Sequence, residues 1–501
     1  VLCRNDLDNL DYYQTEYDLD ITVLKDLSAA ISKYRSYLKG LVVWDPGLID
    51  SVNLALMYAG LKDLLLCHPD QLPKLQASTN LPVIEDLRGR FVDRVALYRW
   101  AFKALFGQCK SGQVAHMEPA WGRAEFTDYI VQNRLFTFCL SCYQKGGLRT
   151  FGQKLLLLLV AGPFWLRNIL FAARLDVLVR WIAIWLLGLG APETRLETRL
   201  QKAVKAEPYP LIFGWHSDRD DELAFMLAIS ANGMRLAPTF LASNYSFHSQ
   251  LPQKIQFKQN YKSPESVELE DKVYLSFTLS DGDQFTLMNT AEVGNWRRPE
   301  HGKVPFNWEV QPLLVEIAPA LLGYYYRNLT DRDMLVAGPS GAGYVIPPLV
   351  PDLPAYMRES ARFCDMADIR ITTSYTCDPP GRVIRQHAEA PGNFMGFIAG
   401  YFHLNHTLMC VAGDKPFISY AWPHVDQIGW DADKVLDGIR KLVEAPGTEP
   451  RFIACHLFAY CTTVADVYQF IQTLDPNKVK VVRADEFLIA ADKFMKEEKS
   501  Q

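Results

Sequence analysis

The chain has no excess of positive charge, and this absence excludes the largest class of partners. Its 52 Lys and Arg are outnumbered by 57 Asp and Glu, for a formal net charge of −5. A nucleic-acid surface needs a basic field to displace counterions from phosphates, so nucleic acid is set aside as a partner. Long apolar runs are lacking as well. Residues 155–166 and 181–192 are free of charge, but each is only twelve residues long. A bilayer span needs roughly 18. The ten cysteines show no framework spacing. Cys139 and Cys142 form a single CxxC inside an apolar run with no second pair near it, so they read as buried thiols rather than a zinc or redox site. Redox compartment is left open. The α/β pattern over 40–105 has no glycine fingerprint, so nucleotide binding is not indicated.

What is present is ordinary globular composition with an aromatic surplus: 49% apolar, 22% charged, with 11 Trp and 23 Tyr. Sugar rings stack on aromatic faces, although a large core consumes aromatics too. A chain of 501 residues accommodates two to four domains. It begins at Val1 in the middle of a pattern, so a preceding piece is expected, with any signal peptide lost alongside it. Sequons at Asn244, Asn328 and Asn405 arise by chance in a chain this long and do not settle the compartment. An extracytoplasmic or membrane-surface location is the expectation.

Periodicity divides the chain into a partial segment 1–36, a small α/β domain 37–108, a second α/β domain 109–255, and a larger domain 265–497. In the second, a helix is expected over 125–140. An insertion at 148–205 interrupts it, with Leu166, Ile169, Leu170, Ala173, Val177, Leu178, Trp181 and Trp185 on one helical face and arginines flanking it. Such a face either packs against protein or lies in a membrane interface, so peripheral membrane contact through 148–205 stands beside the packing reading. From 270 onward strands are expected at 273–279, 334–338, 369–375, 394–402, part of 408–420, 452–458 and 478–482. Helices over 312–326, 354–366, 431–443, 463–474 and 485–497 alternate with them. Seven strands alternating with helices predict a (β/α) barrel, with its site at the strands' carboxyl ends.

Two strand-end loops carry the chemistry. Ser280-Asp281-Gly282-Asp283 places two carboxylates at the end of the first barrel strand. They can share a proton, bind a divalent metal or divide acid and base roles, while an Asp-Gly turn explains the same residues without chemistry. Gly338-Pro-Ser-Gly-Ala-Gly-Tyr-Val-Ile-Pro-Pro348 opens the second loop, where glycines let backbone approach a ligand or simply turn. Asp378 follows the 369–375 strand, His424 and Asp426 follow Tyr420-Ala-Trp422, and His456 lies within the strand 452–458.

These residues also carry a family likeness. Gly341-Ala-Gly-Tyr-Val-Ile-Pro347, with Phe277–Asp283, Val304-Pro-Phe-Asn-Trp308, Pro312 and Gly338–Gly341, resembles the GxGYxYP-motif family of putative glycoside hydrolases. The likeness implies a barrel related to polysaccharide deacetylases and glycoside hydrolases, preceded by small α/β domains, and a polysaccharide or oligosaccharide substrate. Two positions depart from the pattern: Ile346 stands where the motif has its second tyrosine, and Gln284 stands where asparagine is expected. Hydrolysis of a glycosidic bond takes two carboxyl groups. The catalytic set is therefore Asp281, Asp283, Asp378 and His456, with Ser340, Gly341, Gly343, Tyr344, Trp308 and Trp422 expected to bind substrate. No cofactor is assigned. A metal-dependent deacetylase would draw instead on His403 and His406, three residues apart. A carbohydrate-binding or scaffold protein with an eroded site is the non-enzymatic alternative, and Ile346 is the residue favouring it.

Overall fold

The computed structural model describes residues 10–121, 126–141, 147–205, 209–219, 221–280, 282–289, 291–374, 379–400, 409–421 and 431–500. The chain forms two compact units. One comprises Val1–Gln153, Ala183–Ala228 and Thr239–Phe247; the other Lys154–Ile182, Ile229–Pro238 and His248–Gln501.

In the first unit, β1 (Gly40–Val43) lies between β2 (Leu64–Cys67) and β3 (Val83–Asp86), all parallel. Leu41, Val43, Cys67 and Leu81 close its core. A second parallel group places β4 (Gln113–His116) between β5 (Phe136–Phe138) and β6 (Leu211–Gly214). The helix expected over 125–140 is instead Thr127–Asn133 followed by β5. Arg134 takes a left-handed backbone, φ 54°, which ends the helix. The apolar run behind it is buried along its length and forms the edge strand beside β4.

In the second unit, β7 (Arg235–Pro238) precedes a large curled sheet. Its strands are β8 (Val273–Ser280), β9 (Phe306–Val310), β10 (Asp333–Ala337), β11 (Ile371–Ser374), β12 (Gly396–Ala399), β13 (Met409–Ala412), β14 (Lys415–Ser419), β15 (Arg451–Phe458) and β16 (Val479–Val481). The order is β13-β14-β12-β11-β10-β9-β8-β15, with β16 beside the first three residues of β8. Every pairing is parallel except the hairpin β13–β14. The closed seven-stranded barrel gives way to this sheet for three reasons. The segment 408–420 folds back on itself at Gly413 and adds an antiparallel edge. The short β9 inserts between β8 and β10. Among the described residues the far sides of the curl meet only at the isolated parallel bridge between Tyr420 and Ala454.

Tyr274, Val336, Ile371, Ile398, Ile418 and Ala454 turn one face of the sheet onto the last helix, Ala484–Ser500, through Phe487, Leu488, Ala491 and Met495. Burial of both sheet faces explains why these strands read as apolar runs. With the strands parallel, their carboxyl ends gather along one rim.

Candidate active site

The rim is built from the last residues of β8, β9, β10 and β11. Register sets Leu279 opposite Trp308 and Thr278 opposite Asn307, which brings Ser280 beside Glu309. Glu309 is completely buried. Its Oε1 accepts hydrogen bonds from Ser280 Oγ at 2.5 Å and Gln284 Nε2 at 2.8 Å, and its Oε2 accepts one from Thr373 Oγ1. A carboxylate is acceptor-only, and one withdrawn from water persists as a charge only when donors replace the lost hydration. Three side chains from two other strand ends supply them here.

Reaching Thr373 from β9 means crossing β10, since two strand spacings amount to about 10 Å. Gly338, the first residue of the Gly-rich loop, makes the crossing feasible. A Cβ at that position would lie 2.3 Å from Glu309 Cδ and 2.1 Å from Thr373 Oγ1. The close approach that this glycine serves is therefore side chain against backbone within the protein.

The rest of the loop is buried too, from Ser340 through Val350. Ser340 adopts a left-handed backbone, φ 69°; its N–H donates to Thr373 O at 2.7 Å and its hydroxyl to Val345 O at 2.7 Å. Tyr356 Oη reaches the carbonyls of Ser340 and Gly343 at 2.7 and 2.6 Å. Gly343, φ 99°, donates its N–H to Gln311 Oε1 at 2.8 Å, and a Cβ there would press within 3.0–3.1 Å of the Arg235 side chain. Arg235 in turn donates to Ala342 O at 3.0 Å and pairs with Glu359 at 3.3 Å, both charges buried. Tyr344 exchanges two backbone hydrogen bonds with Leu236. Gly341 abuts Ser360, and Ile346 is fully buried with its N–H bonded to Ser230 Oγ. Trp308 is likewise enclosed: its indole N–H donates to Asp333 at 3.0 Å, and Trp296 and Phe306 lie 4.8 Å away.

Asp283 stands at the rim, largely buried, with Oδ2 accepting from Tyr460 Oη at 3.1 Å. Gly282 before it has φ 88° and Gln284 after it bonds Glu309, so the loop is held on both sides of the carboxylate. His456 lies on β15 opposite Thr278, its ring 5.3 Å from that of Tyr420. Burial, with the Glu309 charge adding to it, holds the Tyr420 phenol well above its ordinary pKa. Asp281, Asp378 and Trp422 lie outside the described residues, as do His403, His406, His424 and Asp426. Among the described residues no group of three or more His, Cys, Asp or Glu is placed to hold a metal ion.

Glu309, Thr373 and Tyr460 were not legible as site residues. The signal for Glu309 was available: Phe306, Trp308 and Val310 alternate with Asn307 and Glu309, the period of a strand. Pro305 and Pro312 bracket the segment and mask it. The departure at Gln284 proves productive, since the longer amide is the group that reaches Glu309.

Residues 271–491 match the family model described as GxGYxYP putative glycoside hydrolase C-terminal domain, and residues 38–109 match that of the GxGYxYP_N second domain. The fold is similar to the crystal structure of a putative hydrolase from Bacteroides thetaiotaomicron VPI-5482. That likeness has a TM-score of 0.74 at 20% identity and covers 97% of this chain and 86% of that one. No curated protein matches.

Proposed function

Because the chain belongs to the GxGYxYP family, described as putative glycoside hydrolases, we propose that it cleaves a glycosidic bond of a polysaccharide or oligosaccharide with carboxylates carried by the loops after β8 and β11. One observation carries this reading: the buried Glu309 ties Ser280 and Gln284, on either side of the Asp281–Asp283 segment, to Thr373, which leads into Asp378. Such a tie is what two carboxyl groups from different loops need in order to face one bond, because catalysis depends on held geometry. Glu309 has no exposed surface and all its described bonds come from within the protein, so its part is positioning. Asp283, reachable from the rim and oriented by Tyr460, is the working carboxylate of its loop; Asp281 and Asp378 complete the set. His456 backs the site through Tyr420. The buried GxGYxYP-like loop supports the rim by filling the space under Glu309, and contributes shape rather than contacts to sugar.

The test is product analysis on a panel of oligosaccharides with D281N, D283N and D378N, each checked by its melting temperature. Loss of a positioned acid or base is expected to slow turnover by about 10²–10⁴-fold with the fold intact. Turnover equal to the parent's in all three variants would refute the carboxylate mechanism. Sugar binding that persists with no cleavage by the parent would assign the protein to the binding class, the reading that Ile346 favours by removing a phenol from the motif.

A further inference from the structure

The insertion leaves an unusual surface. Of the twenty large apolar side chains exposed among the described residues, eight fall between Leu157 and Trp181. The amphipathic helix expected through this stretch is two helices, Phe164–Ala172 and Leu175–Leu187, separated at Arg174, φ 57°. Among the described residues no single helix is long and apolar enough to cross a membrane, and the pair Phe151–Ala161 and Phe164–Ala172, which passes that test together, is bent by 96°. The exposed side chains are not scattered. On Leu175–Leu187, Leu178, Trp181 and Trp185 follow helical spacing on one face, 52%, 64% and 52% exposed; on the helix before it Trp165 is 65% exposed and Ile169 lies one turn on.

Charge on these helices is sorted to match. Asp176, the one acidic residue of the two helices, is buried and paired with Arg382 at 2.6 Å. Arg382 also caps Phe171 O, and Asn168 accepts from Gly381 N–H, all within one unit. Lys154 and Arg174 remain exposed.

Five residues after Leu187 the chain enters helix Pro192–Ala203, which with helix Arg94–Ala104 lines a groove of about 500 Å³. Arg99, Lys103, Arg195 and Arg199 surround it over a floor of Phe102, Leu196 and Pro192. None of these four cations is paired with a carboxylate among the described residues, whereas Arg94, on the same helix as Arg99, pairs with Asp50 at 3.3 Å. Four uncompensated cations in a protein of net charge −5 mark a place for anions. Trp185 and Leu189, both exposed, belong to the same unit as the groove, and Leu189 is three residues before Pro192, which lines it.

We infer that the unit carrying the groove docks on an anionic lipid bilayer, with Trp185 and Leu189 in the interface and the Arg99–Lys103–Arg195–Arg199 groove on lipid phosphates. Tryptophan prefers the headgroup level, and a basic cluster adds the attraction that a short apolar face lacks. The inference is independent of the glycosidase reading, because none of these residues belongs to the rim.

The test is co-sedimentation of the full chain with vesicles of phosphatidylcholine alone and with about one third phosphatidylglycerol, the anionic surface supplying the attraction. The parent is expected to pellet with the anionic vesicles and to be released as salt rises from about 0.1 to 0.5 M, which shortens the screening length. R195E/R199E and W185S/L189S, all at exposed positions and checked by circular dichroism, are each expected to weaken partition by about tenfold or more. No pelleting by the parent, or parent-like pelleting by both double variants, would overturn the proposal. Retention on a sulfated polysaccharide resin without vesicle binding would assign the groove to a soluble polyanion and overturn it as well. A dimer in the absence of lipid that W185S/L189S dissociates would show a second copy covering these side chains, with the same consequence.

Discussion

Glu309 has the sharpest consequences of any single side chain. Truncation to alanine strands the Ser280, Gln284 and Thr373 donors in a dry setting and removes the tie between β8 and β11. A cost of about 3 kcal/mol is expected in urea unfolding, as when a buried hydrogen-bonded charge loses its network. E309Q keeps the shape, and the Thr373 hydroxyl can turn to accept from the new amide, so about 1 kcal/mol is expected there. Equal stability for E309A and the parent would show that the network contributes nothing. Glu309 was not found from sequence because its meaning is not local. Its partners lie 29, 25 and 64 residues away, and only pairing across three strands reveals them. The position of Asp283 at a strand end, by contrast, shows in a short window.

Among elements, the Gly-rich loop tests how well a motif explains itself. In the sequence its glycines admit either a backbone approach to a ligand or a plain turn, and the room is taken by Glu309 at Gly338 and by Arg235 at Gly343. G338A forces a Cβ into Glu309 Cδ and Thr373 Oγ1 and is expected to cost more than about 3 kcal/mol while lowering turnover through the displaced rim. G343A must also hold an L residue at φ 99° against Arg235, and about 2–3 kcal/mol is expected. Chemical denaturation of both variants checks this; melting equal to the parent's in either would mean that the loop relaxes freely. The element-scale lesson recurs at 125–140, where the apolar run supported a helix until its pairing beside β4 made Phe136–Phe138 a strand.

For the whole molecule, acid sensitivity follows from two histidines of the larger unit. Burial lowers His248 to about 4, partly opposed by its hydrogen bond with Asn289, and lowers His387 to about 4, partly opposed by the Val383 carbonyl at 2.8 Å. The unfolded chain protonates both near pH 6.5, while the folded chain keeps them neutral down to about pH 4. The unfolded state thus binds more protons in that window, so stability falls as pH drops through it and is unaffected by these groups above it. Each group contributes a loss on the order of 3 kcal/mol by pH 4. Melting temperatures should be flat above neutrality and decline from pH 6.5 to 5, ahead of most carboxylates. H387F, whose ring still meets Phe397 and Phe417, should reduce that slope by up to half. An unchanged slope in H387F would exclude His387 as a source.

The sequence by itself determined the parallel alternation of strand and helix beyond residue 270, the rim loops and the family. All of these are written in windows of a few to a few dozen residues, through periodicity, turn chemistry and motif. Tertiary structure decided the rest. It set the curl rather than a closed ring, since closure depends on edge pairing between segments far apart in sequence. It decided that Tyr344 and Trp308 are core, because one aromatic residue serves a sugar or a core equally well until its faces are covered. It decided that Trp165, Trp181 and Trp185 stay outside, since an amphipathic pattern states that a helix has two faces and never which of them meets protein.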